Sequence, residues 1–148
     1  MAFWLYTTNS HNWAVTKKTN ILGASEKHRN ALSRIEEGDR CLVYVISERS
    51  GTEMVGSVIV AEYKVVSKVF EDDHKIFQAP LTAPSEGFRL RIRLEPLKVF
   101  EKPISFKPLV PKLTFIKNKQ RWSLNIRGKA VVAIPKHDYG FIKKAALQ

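Results

Sequence analysis

The strictest constraint on the fold of this chain is an alternation of apolar and charged residues from Phe88 to Leu94. Phe88, Leu90, Ile92 and Leu94 are apolar, and arginines stand between them at positions 89, 91 and 93. Because successive side chains of a strand point to opposite faces, the pattern predicts a strand with an apolar face and arginines about 6.6 Å apart on the other. Those arginines would either follow the phosphates of an extended nucleic acid or form a solvated face beside acidic neighbours such as Glu62, and the pattern favours neither.

Similar patterns predict the other elements. We expect strands near residues 3–8, 41–47, 54–70 and 88–100, and helices near residues 25–36 and 135–146. In the first helix Ser25 suits the N-cap, and His28, Leu32 and Ile35 recur on one face. Residues 47–53 are predicted to form a loop, and Gly56 to mark a bulge or bend. Beyond residue 100 the prolines at 103, 108 and 111 predict irregular structure.

Composition places the chain among soluble globular proteins. It has 148 residues, 44% of them hydrophobic and 26% charged, so we expect one domain spanning residues 1–148. No apolar run approaches the roughly 20 residues of a membrane helix, and no secretory signal is visible, so we expect a cytoplasmic protein without a membrane partner. Its single cysteine, Cys41, excludes an internal disulfide and suits a buried core residue.

Charge is distributed unevenly along the chain. Residues 1–86 contain 10 Lys and Arg against 11 Asp and Glu, whereas residues 87–148 contain 15 against 3. All of the net charge of +11 therefore arises from the last two-fifths of the sequence. This asymmetry favours a polyanionic partner such as nucleic acid, although lysine-rich surfaces also serve solubility alone.

Sequence motifs of catalysis are absent. The chain has no GxSxG, HExxH, GxxxxGK[ST] or GxGxxG motif, and its four histidines are far apart in the sequence. The acidic run Glu71-Asp72-Asp73-His74 is too cramped for a metal site and is predicted to be a solvated loop. We therefore expect neither a cofactor nor a metal, and nothing in the sequence argues for an enzyme.

Amides and an indole follow the first predicted strand. Residues 8–12 are predicted to form a polar turn with Asn9 and Asn12, Trp13 comes next, and Lys17 and Lys18 lie in a basic loop. An Asn amide has the donors and acceptor that read a base edge, and an indole can stack on a base. The alternative is an Asx turn with a Trp that fills a gap between helix and sheet.

A second mixture of cations and aromatics lies near the C-terminus. Lys117, Lys119 and Arg121 precede Trp122, with Asn118 and Gln120 between them. Basic residues around an indole are typical of nucleic-acid and anion sites. Alternatively, Trp122 is a core residue or a loop anchor.

Several stretches resemble the EVE domain, a member of the PUA-like fold that also includes the YTH readers of methylated adenine. They are the strand from Phe3, residues 8–13, residues 23–32, Gly38-Asp39, residues 106–123 and Gly128-Lys129-Ala130. The resemblance covers nearly the whole chain and is most specific from Leu113 to Ser123. Within the family, the chain is most similar to the stand-alone prokaryotic EVE proteins.

The resemblance implies an α+β protein, with a PUA-like curved mixed β-barrel flanked by helices and a base pocket at one end. By motif position, the pocket would be lined by Asn9, Asn12, Trp13, Leu22, Gly23, Ala24 and Trp122. Many relatives have Trp where this chain has Leu22, so it departs from a full aromatic cage. Phosphate contacts would come from basic side chains on the N-terminal third and the C-terminal loop, namely Lys17, Lys18, Arg29, Lys117, Lys119 and Arg121.

These observations favour a nucleic-acid-binding module that reads a modified base in DNA or RNA. One alternative is a small enzyme that acts on a nucleotide or a phosphorylated small molecule in the same pocket. Another is a protein-interaction accessory whose charge serves solubility only. Binding of free nucleosides without salt dependence would favour the enzyme, and binding of neither nucleosides nor nucleic acid would favour the accessory.

Overall fold

A mixed sheet is the framework of the protein. The computed structural model describes residues 1–79 and 87–147. The strands are β1 (Phe3–Thr8), β2 (Ile21–Ala24), β3 (Arg40–Val45), β4 (Glu48–Ser50), β5 (Glu53–Val55), β6 (Val58–Val65), β7 (Phe70–Glu71), β8 (Leu90–Ser105) and β9 (Val131–Ile134). The helices are α1 (Ser10–Thr19), α2 (Arg29–Leu32) and α3 (Lys136–Ala145), with 3₁₀ turns at Glu26–His28, Lys107–Lys112 and Trp122–Asn125.

Seven strands form one curled sheet in the order β2-β8-β6-β3-β1-β9, and β7 pairs with β8. β1 runs parallel to β3 and antiparallel to β9, so it lies inside the sheet. The 16-residue β8 pairs first with β2 and then with β6, with register shifts opposite Ile59 and Glu62. Such irregularities bend a strand, and the sheet curls into the half-barrel expected of a PUA-like fold.

Both faces of the sheet are covered. Trp4 and Tyr6 of β1 belong to one core cluster together with Leu22. Leu5, between them in the sequence, belongs to a second cluster with Phe106. This division follows from the alternation of side chains along β1. The strands predicted at residues 3–8 and 41–47 are confirmed as buried central strands.

The predicted turn and basic loop at residues 8–18 are wrong, because helix α1 occupies Ser10–Thr19. Asn9 is its N-cap: the side-chain Oδ1 accepts a hydrogen bond from the Asn12 N–H at 2.8 Å. The buried residues of this helix are Asn12 and Thr16. Because both are polar, the sequence has no apolar stripe from which the helix could be predicted.

The first predicted helix is shorter than residues 25–36. A 3₁₀ turn precedes the four-residue α2, although Leu32 and Ile35 are buried as expected. Asp39 explains the early end, since its Oδ2 accepts the Glu36 N–H at 2.9 Å and holds this segment in a turn. The last predicted helix, at residues 135–146, is confirmed as α3 with Pro135 at its N-cap.

Two loop predictions are also wrong. Residues 47–53, predicted as a loop, contribute to the β4–β5 hairpin. The irregular structure predicted around Pro103 is instead the end of β8. The single strand predicted at residues 54–70 is divided among β5, β6 and β7. β8 continues through Pro96 and Pro103, which lack an N–H but lie where the pairing with β6 is irregular. Prolines at 80 and 84 predict an irregular crossing over residues 78–87, most of which (residues 80–86) lie outside the described residues.

The three arginines at 89, 91 and 93 do not form a row for phosphates: Arg91 is buried, whereas Arg89 and Arg93 are exposed, and Arg89 lies beside acidic residues as the second alternative expects. Arg91 is 1% exposed: its Nε donates to the Phe88 carbonyl at 3.1 Å, its Nη2 donates to the His74 carbonyl, and Nη1 lies 3.5 Å from Asp72. Arg89 pairs with Asp73 at 3.1 Å, and Arg93 lies over the ring of Phe70 at 5.0 Å. The segment from Phe70 onward therefore covers Arg91, and its acidic residues pair with Arg89 and Arg91.

Candidate nucleic-acid interface

The C-terminal end of β1 opens into a cavity of about 330 Å³. Tyr6, Thr7 and Thr8 supply one side of it, directly before α1 begins. The remaining wall comes from segments that are distant in sequence: Asn9, Asn12, residues 23–25, Lys27, His28, Ile46, Phe88 and residues 128–130. We call it the Asn9 cavity. It unites four of the predicted pocket residues, namely Asn9, Asn12, Gly23 and Ala24.

Gly23 is required at the floor of the Asn9 cavity. The Tyr6 hydroxyl donates to the Gly23 carbonyl at 3.2 Å, which fixes β2 against β1. A Cβ atom at Gly23 would lie 2.5 Å from Cε2 of Phe77, far inside van der Waals contact. The absence of a side chain at Gly23 therefore lets Phe77 pack directly against the backbone of β2.

The two asparagines differ in how much hydrogen-bonding capacity they keep. Asn12 is buried, and both polar ends of its amide bond the backbone of Gln78. Asn9 uses its Oδ1 to cap α1, whereas its Nδ2 makes no hydrogen bond to any of the described residues. Of the two predicted asparagines, Asn9 is therefore the one whose side-chain N–H donor is available to a ligand in the cavity.

The segment from Gly128 to Ala130 lines the Asn9 cavity and is hydrogen-bonded to Thr7 of β1. The Thr7 N–H donates to the Ala130 carbonyl at 2.9 Å, and the Thr7 hydroxyl donates to the Lys129 carbonyl. Gly128 has a φ of +77°, a backbone conformation that favours glycine. These contacts hold Lys129 at the rim of the cavity.

The electrostatic character of the rim is positive. Lys27 and Lys129 line the Asn9 cavity, and none of its described lining residues is Asp or Glu. The nearby Arg29 is less available than predicted, because its guanidinium pairs with Glu26 at 2.7 Å and with Glu71 at 2.6 Å. These contacts raise the pKa of Arg29, Glu71 having the larger effect.

A second cavity of about 500 Å³ adjoins the first, and we call it the Trp122 cavity. Thr7, Ile46 and Gly128 line both cavities. Trp122 packs against Phe106 with ring centroids 5.5 Å apart, and Phe106 in turn meets Tyr44 edge to face at 5.0 Å. Trp122 therefore lies beside the Asn9 cavity instead of forming one of its walls.

Two other predicted pocket residues do not line the Asn9 cavity: Leu22 lies in the core, and Trp13 packs against the core. Leu22 is 1% exposed and belongs to the cluster of Trp4 and Tyr6, so its side chain points away from the Asn9 cavity. Trp13 is half-buried and meets Tyr63 edge to face at 6.3 Å. Phe88, which was not predicted as a site residue, is an aromatic side chain that does line the cavity.

The six residues predicted to contact phosphate differ in whether their charged groups are exposed or already have a partner. Lys17 and Lys18 are exposed in the last turn of α1, and Lys117 and Arg121 are exposed in the loop before Trp122. Arg29 is held in ion pairs. Lys119 has a structural partner, because its Nζ donates to the Val110 carbonyl at 3.2 Å and to the Leu113 carbonyl, where a 3₁₀ turn ends.

Residues that sequence reasoning missed include Lys27, Lys129 and Phe88 at the first cavity, and Arg127 at the second. The Gly128-Lys129-Ala130 match to the family was the one available signal for Lys129. The sequence pattern places Lys27 in a predicted amphipathic helix and Phe88 on the apolar face of a predicted strand. Neither position indicates a cavity.

No group of three His, Cys, Asp or Glu side chains among residues 1–79 and 87–147 could hold a metal ion. In the same residues, no helix has the length and apolar character of a transmembrane segment.

Comparisons with known proteins identify the family. The model of the EVE domain matches residues 2–145. A UPF0310 protein of Pyrococcus abyssi is 40% identical over 143 residues, covering 97% of this chain and 98% of the relative. A UPF0310 protein of Pyrococcus horikoshii is 39% identical over 148 residues, covering 99% of this chain and all of the relative.

Solved structures of low sequence identity show the same fold. Human THYN1, in complex with 5-methylcytosine containing DNA, superimposes with a TM-score of 0.63 at 10% identity, over 100% of this chain and 99% of that one. The YTH domain-containing protein mmi1, in complex with RNA, gives a TM-score of 0.57 at 10% identity, over 97% of this chain and 79% of that one. The chain therefore belongs to the EVE domain family and has the fold that this family shares with YTH domains.

Proposed function

We propose that this protein is a nucleic-acid-binding module that takes a modified, unpaired base of DNA or RNA into the Asn9 cavity. The observation that carries the proposal is the cavity itself: a preformed slot with a free amide donor on Asn9, an aromatic side chain on Phe88 and lysines at its rim. Two proteins of the same fold, THYN1 and mmi1, have been solved with DNA containing 5-methylcytosine and with RNA.

Each part of the cavity has a chemical role in this proposal. The Asn9 Nδ2 donates to an acceptor on the base edge, and the face of Phe88 stacks on the ring. Ala24 and Ile46 offer apolar contact to a methyl group on the base. Asn12 positions the wall through its two hydrogen bonds to Gln78, and Trp13 and Leu22 support the cavity from the core.

Phosphate contacts supply most of the affinity. Lys27 and Lys129 stand at the rim, and the exposed Lys17, Lys18, Lys117 and Arg121 extend the basic surface on either side. Such contacts do not depend on the base sequence of the nucleic acid, and they weaken with salt. They therefore hold the nucleic-acid strand while the cavity selects the base. The module acts by binding and needs no cofactor.

The first test is to recover nucleic acid bound to the purified protein and to analyse its nucleosides by mass spectrometry. We expect one modified nucleoside to be enriched over its share in total cellular nucleic acid. Enrichment should be lost in Asn9→Ser, which keeps an oxygen to cap α1 but removes the amide donor. The matched control is Asn30→Ala, which removes an exposed amide outside the cavity.

The same preparation distinguishes the alternative functions. An enzyme acting on a nucleotide would convert a small substrate during incubation, and it would bind free nucleosides without salt dependence. Recovery of unmodified nucleic acid alone would reduce the proposal to non-specific binding through charge.

A further inference from the structure

The Trp122 cavity lies directly beside the Asn9 cavity. The two share Thr7, Ile46 and Gly128, so a ligand filling one reaches the edge of the other. Ile46 stands between them with 42% of its surface exposed. The Ile46 N–H donates to the Thr8 carbonyl at 2.9 Å, and Gly56 packs so closely on the other side that a Cβ atom there would lie only 2.1 Å from the Ile46 carbonyl oxygen.

The aromatic side of the Trp122 cavity is prepared for stacking. The indole of Trp122 is half-buried and is braced from behind by Phe106, at 5.5 Å and an interplanar angle of 45°. Phe106 is itself buried and held by Tyr44. The orientation of the indole is therefore fixed before a ligand arrives, which lowers the entropic cost of binding.

The polar side of this cavity suits a nucleotide. Gln120 and Ser123 line it with an amide and a hydroxyl that make no side-chain hydrogen bonds within the described residues. Arg127 also lines it, is exposed, and forms no ion pair in the part of the chain that the structure describes. An aromatic face, an amide and a free guanidinium are the groups that bind a base and a phosphate.

We propose that the Trp122 cavity binds the nucleotide adjacent to the modified base. This inference rests on the proposed function, because the modified base occupies the Asn9 cavity. The neighbouring base stacks on Trp122, Gln120 contacts its edge, and Arg127 contacts the phosphate that links the two nucleotides. The module thus recognises a dinucleotide step, and its apparent specificity for a modification includes a contribution from the neighbouring base.

The test compares two single-stranded DNA pentamers centred on 5-methylcytosine. One has normal flanking nucleotides, and in the other both neighbours of the central base are abasic. Affinities of the wild type, Trp122→Ala and Trp122→Phe are measured by fluorescence anisotropy at one salt concentration. The probes carry the same number of phosphates, so the charge contribution is matched.

Removing the indole should weaken binding of the normal pentamer by about 10- to 100-fold, since a stacked base is worth that much by alanine substitution. The abasic pentamer should bind the wild type and Trp122→Ala with equal affinity, because the stacking partner is missing from the probe. Trp122→Phe should keep most of the affinity for the normal pentamer, which separates loss of stacking from loss of folding.

Three results overturn the inference, and they can be told apart. If Trp122→Ala matches the wild type on both pentamers while the wild type still prefers 5-methylcytosine over cytosine, the second site fails and the proposed function stands. If Trp122→Ala weakens both pentamers equally, Trp122 does not act through the neighbouring base. A wild type that binds neither these pentamers nor matching DNA and RNA pentamers centred on N6-methyladenine overturns the proposed function and this inference together.

Discussion

The Asn12 side chain bonds the backbone of Gln78 with both ends of its amide: Oδ1 accepts the Gln78 N–H at 2.7 Å, and Nδ2 donates to the Gln78 carbonyl at 3.1 Å. The two residues are 66 positions apart in the sequence. This pair ties α1, which contributes Asn12 to the wall of the Asn9 cavity, to the segment that begins at Phe70.

Asn12→Asp should therefore destabilise the fold even though the two side chains have almost the same shape. The carboxylate keeps the acceptor but cannot donate, and it faces the Gln78 carbonyl in a buried site. Leaving a buried carbonyl without its donor costs about 1–3 kcal/mol of unfolding free energy. Chemical denaturation measures this loss, and Asn30→Asp on the exposed surface is the matched control. Equal stability of Asn12→Asp and the wild type would contradict the structural role of this amide.

Gly23→Ala tests the close approach of Phe77 to β2. The new methyl group would lie 2.5 Å from Cε2 of the Phe77 ring, and overpacking of this kind costs about 1–3 kcal/mol. Gly140→Ala is the control, because a Cβ atom there meets nothing within 4 Å. Since Gly140 lies inside α3, its replacement should stabilise the protein by roughly 0.5–1 kcal/mol. Thermal unfolding of both variants checks these opposite signs.

Salt dependence of binding tests the basic surface. Lys117→Ala and Arg121→Ala together remove two exposed cations, so the log–log slope of affinity against salt should flatten by about 1.4 for a single strand. The control replaces Lys98 and Lys144, which line a separate cavity beside α3, and should leave the slope unchanged. If both double variants flatten the slope equally, the surface beside Trp122 has no special part in binding.

Lys119 is expected to behave differently from Lys117 and Arg121. Its Nζ caps carbonyl groups of Val110 and Leu113, so Lys119→Ala should cost about 1 kcal/mol of unfolding free energy and leave the salt slope nearly unchanged. Denaturation and the same salt titration measure the two quantities. A flattened slope at unchanged stability would show that Lys119 contacts phosphate instead.

Acid should destabilise the C-terminal part of the fold through Asp138. Burial alone would raise the pKa of its carboxyl, but hydrogen bonds from the Thr114 and Phe115 N–H groups and from His137 outweigh burial and lower the pKa. A lowered folded-state pKa contributes stability that is present above about pH 4 and is lost as the pH falls through the folded value.

Asp138→Asn should accordingly destabilise the protein by about 1–3 kcal/mol at neutral pH. Its difference from the wild type should shrink as the pH is lowered, because the wild-type carboxylate is then protonated. Denaturation at a series of pH values measures this convergence. Asp73→Asn, whose side chain is 85% exposed, is the control and should have little effect at any pH. A constant difference between Asp138→Asn and the wild type would contradict the linkage.

Elements with strong apolar patterns could be predicted from the sequence. β1 and β3 were found close to their observed bounds because each is a short continuous run of apolar residues, and α3 because its apolar residues suit one face of a helix that starts at a proline. The α1 helix was missed because its buried positions are Asn12 and Thr16. β2 was missed because it has four residues and Gly23 lies among them.

Part of the candidate site could be predicted as well, but from the family resemblance and not from apolar patterns. The family resemblance named Asn9, Asn12, Gly23 and Ala24, which the structure brings to one cavity. The separation of Trp122 from that cavity depends on its packing against Phe106, and the burial of Arg91 depends on carbonyl groups of Phe88 and His74. Such tertiary contacts leave no periodic signal in a single sequence.

The central claim, that the Asn9 cavity reads a modified base, is tested most directly by one titration series. Single-stranded DNA and RNA pentamers that differ only in the central base, unmodified cytosine, 5-methylcytosine, adenine or N6-methyladenine, are bound to the wild type and to Asn9→Ser at fixed salt. The account predicts that the wild type binds one modified probe at least about tenfold more tightly than its unmodified partner, and that Asn9→Ser reduces this ratio toward one while unmodified probes bind as before. Equal affinity of the wild type for all probes would contradict it.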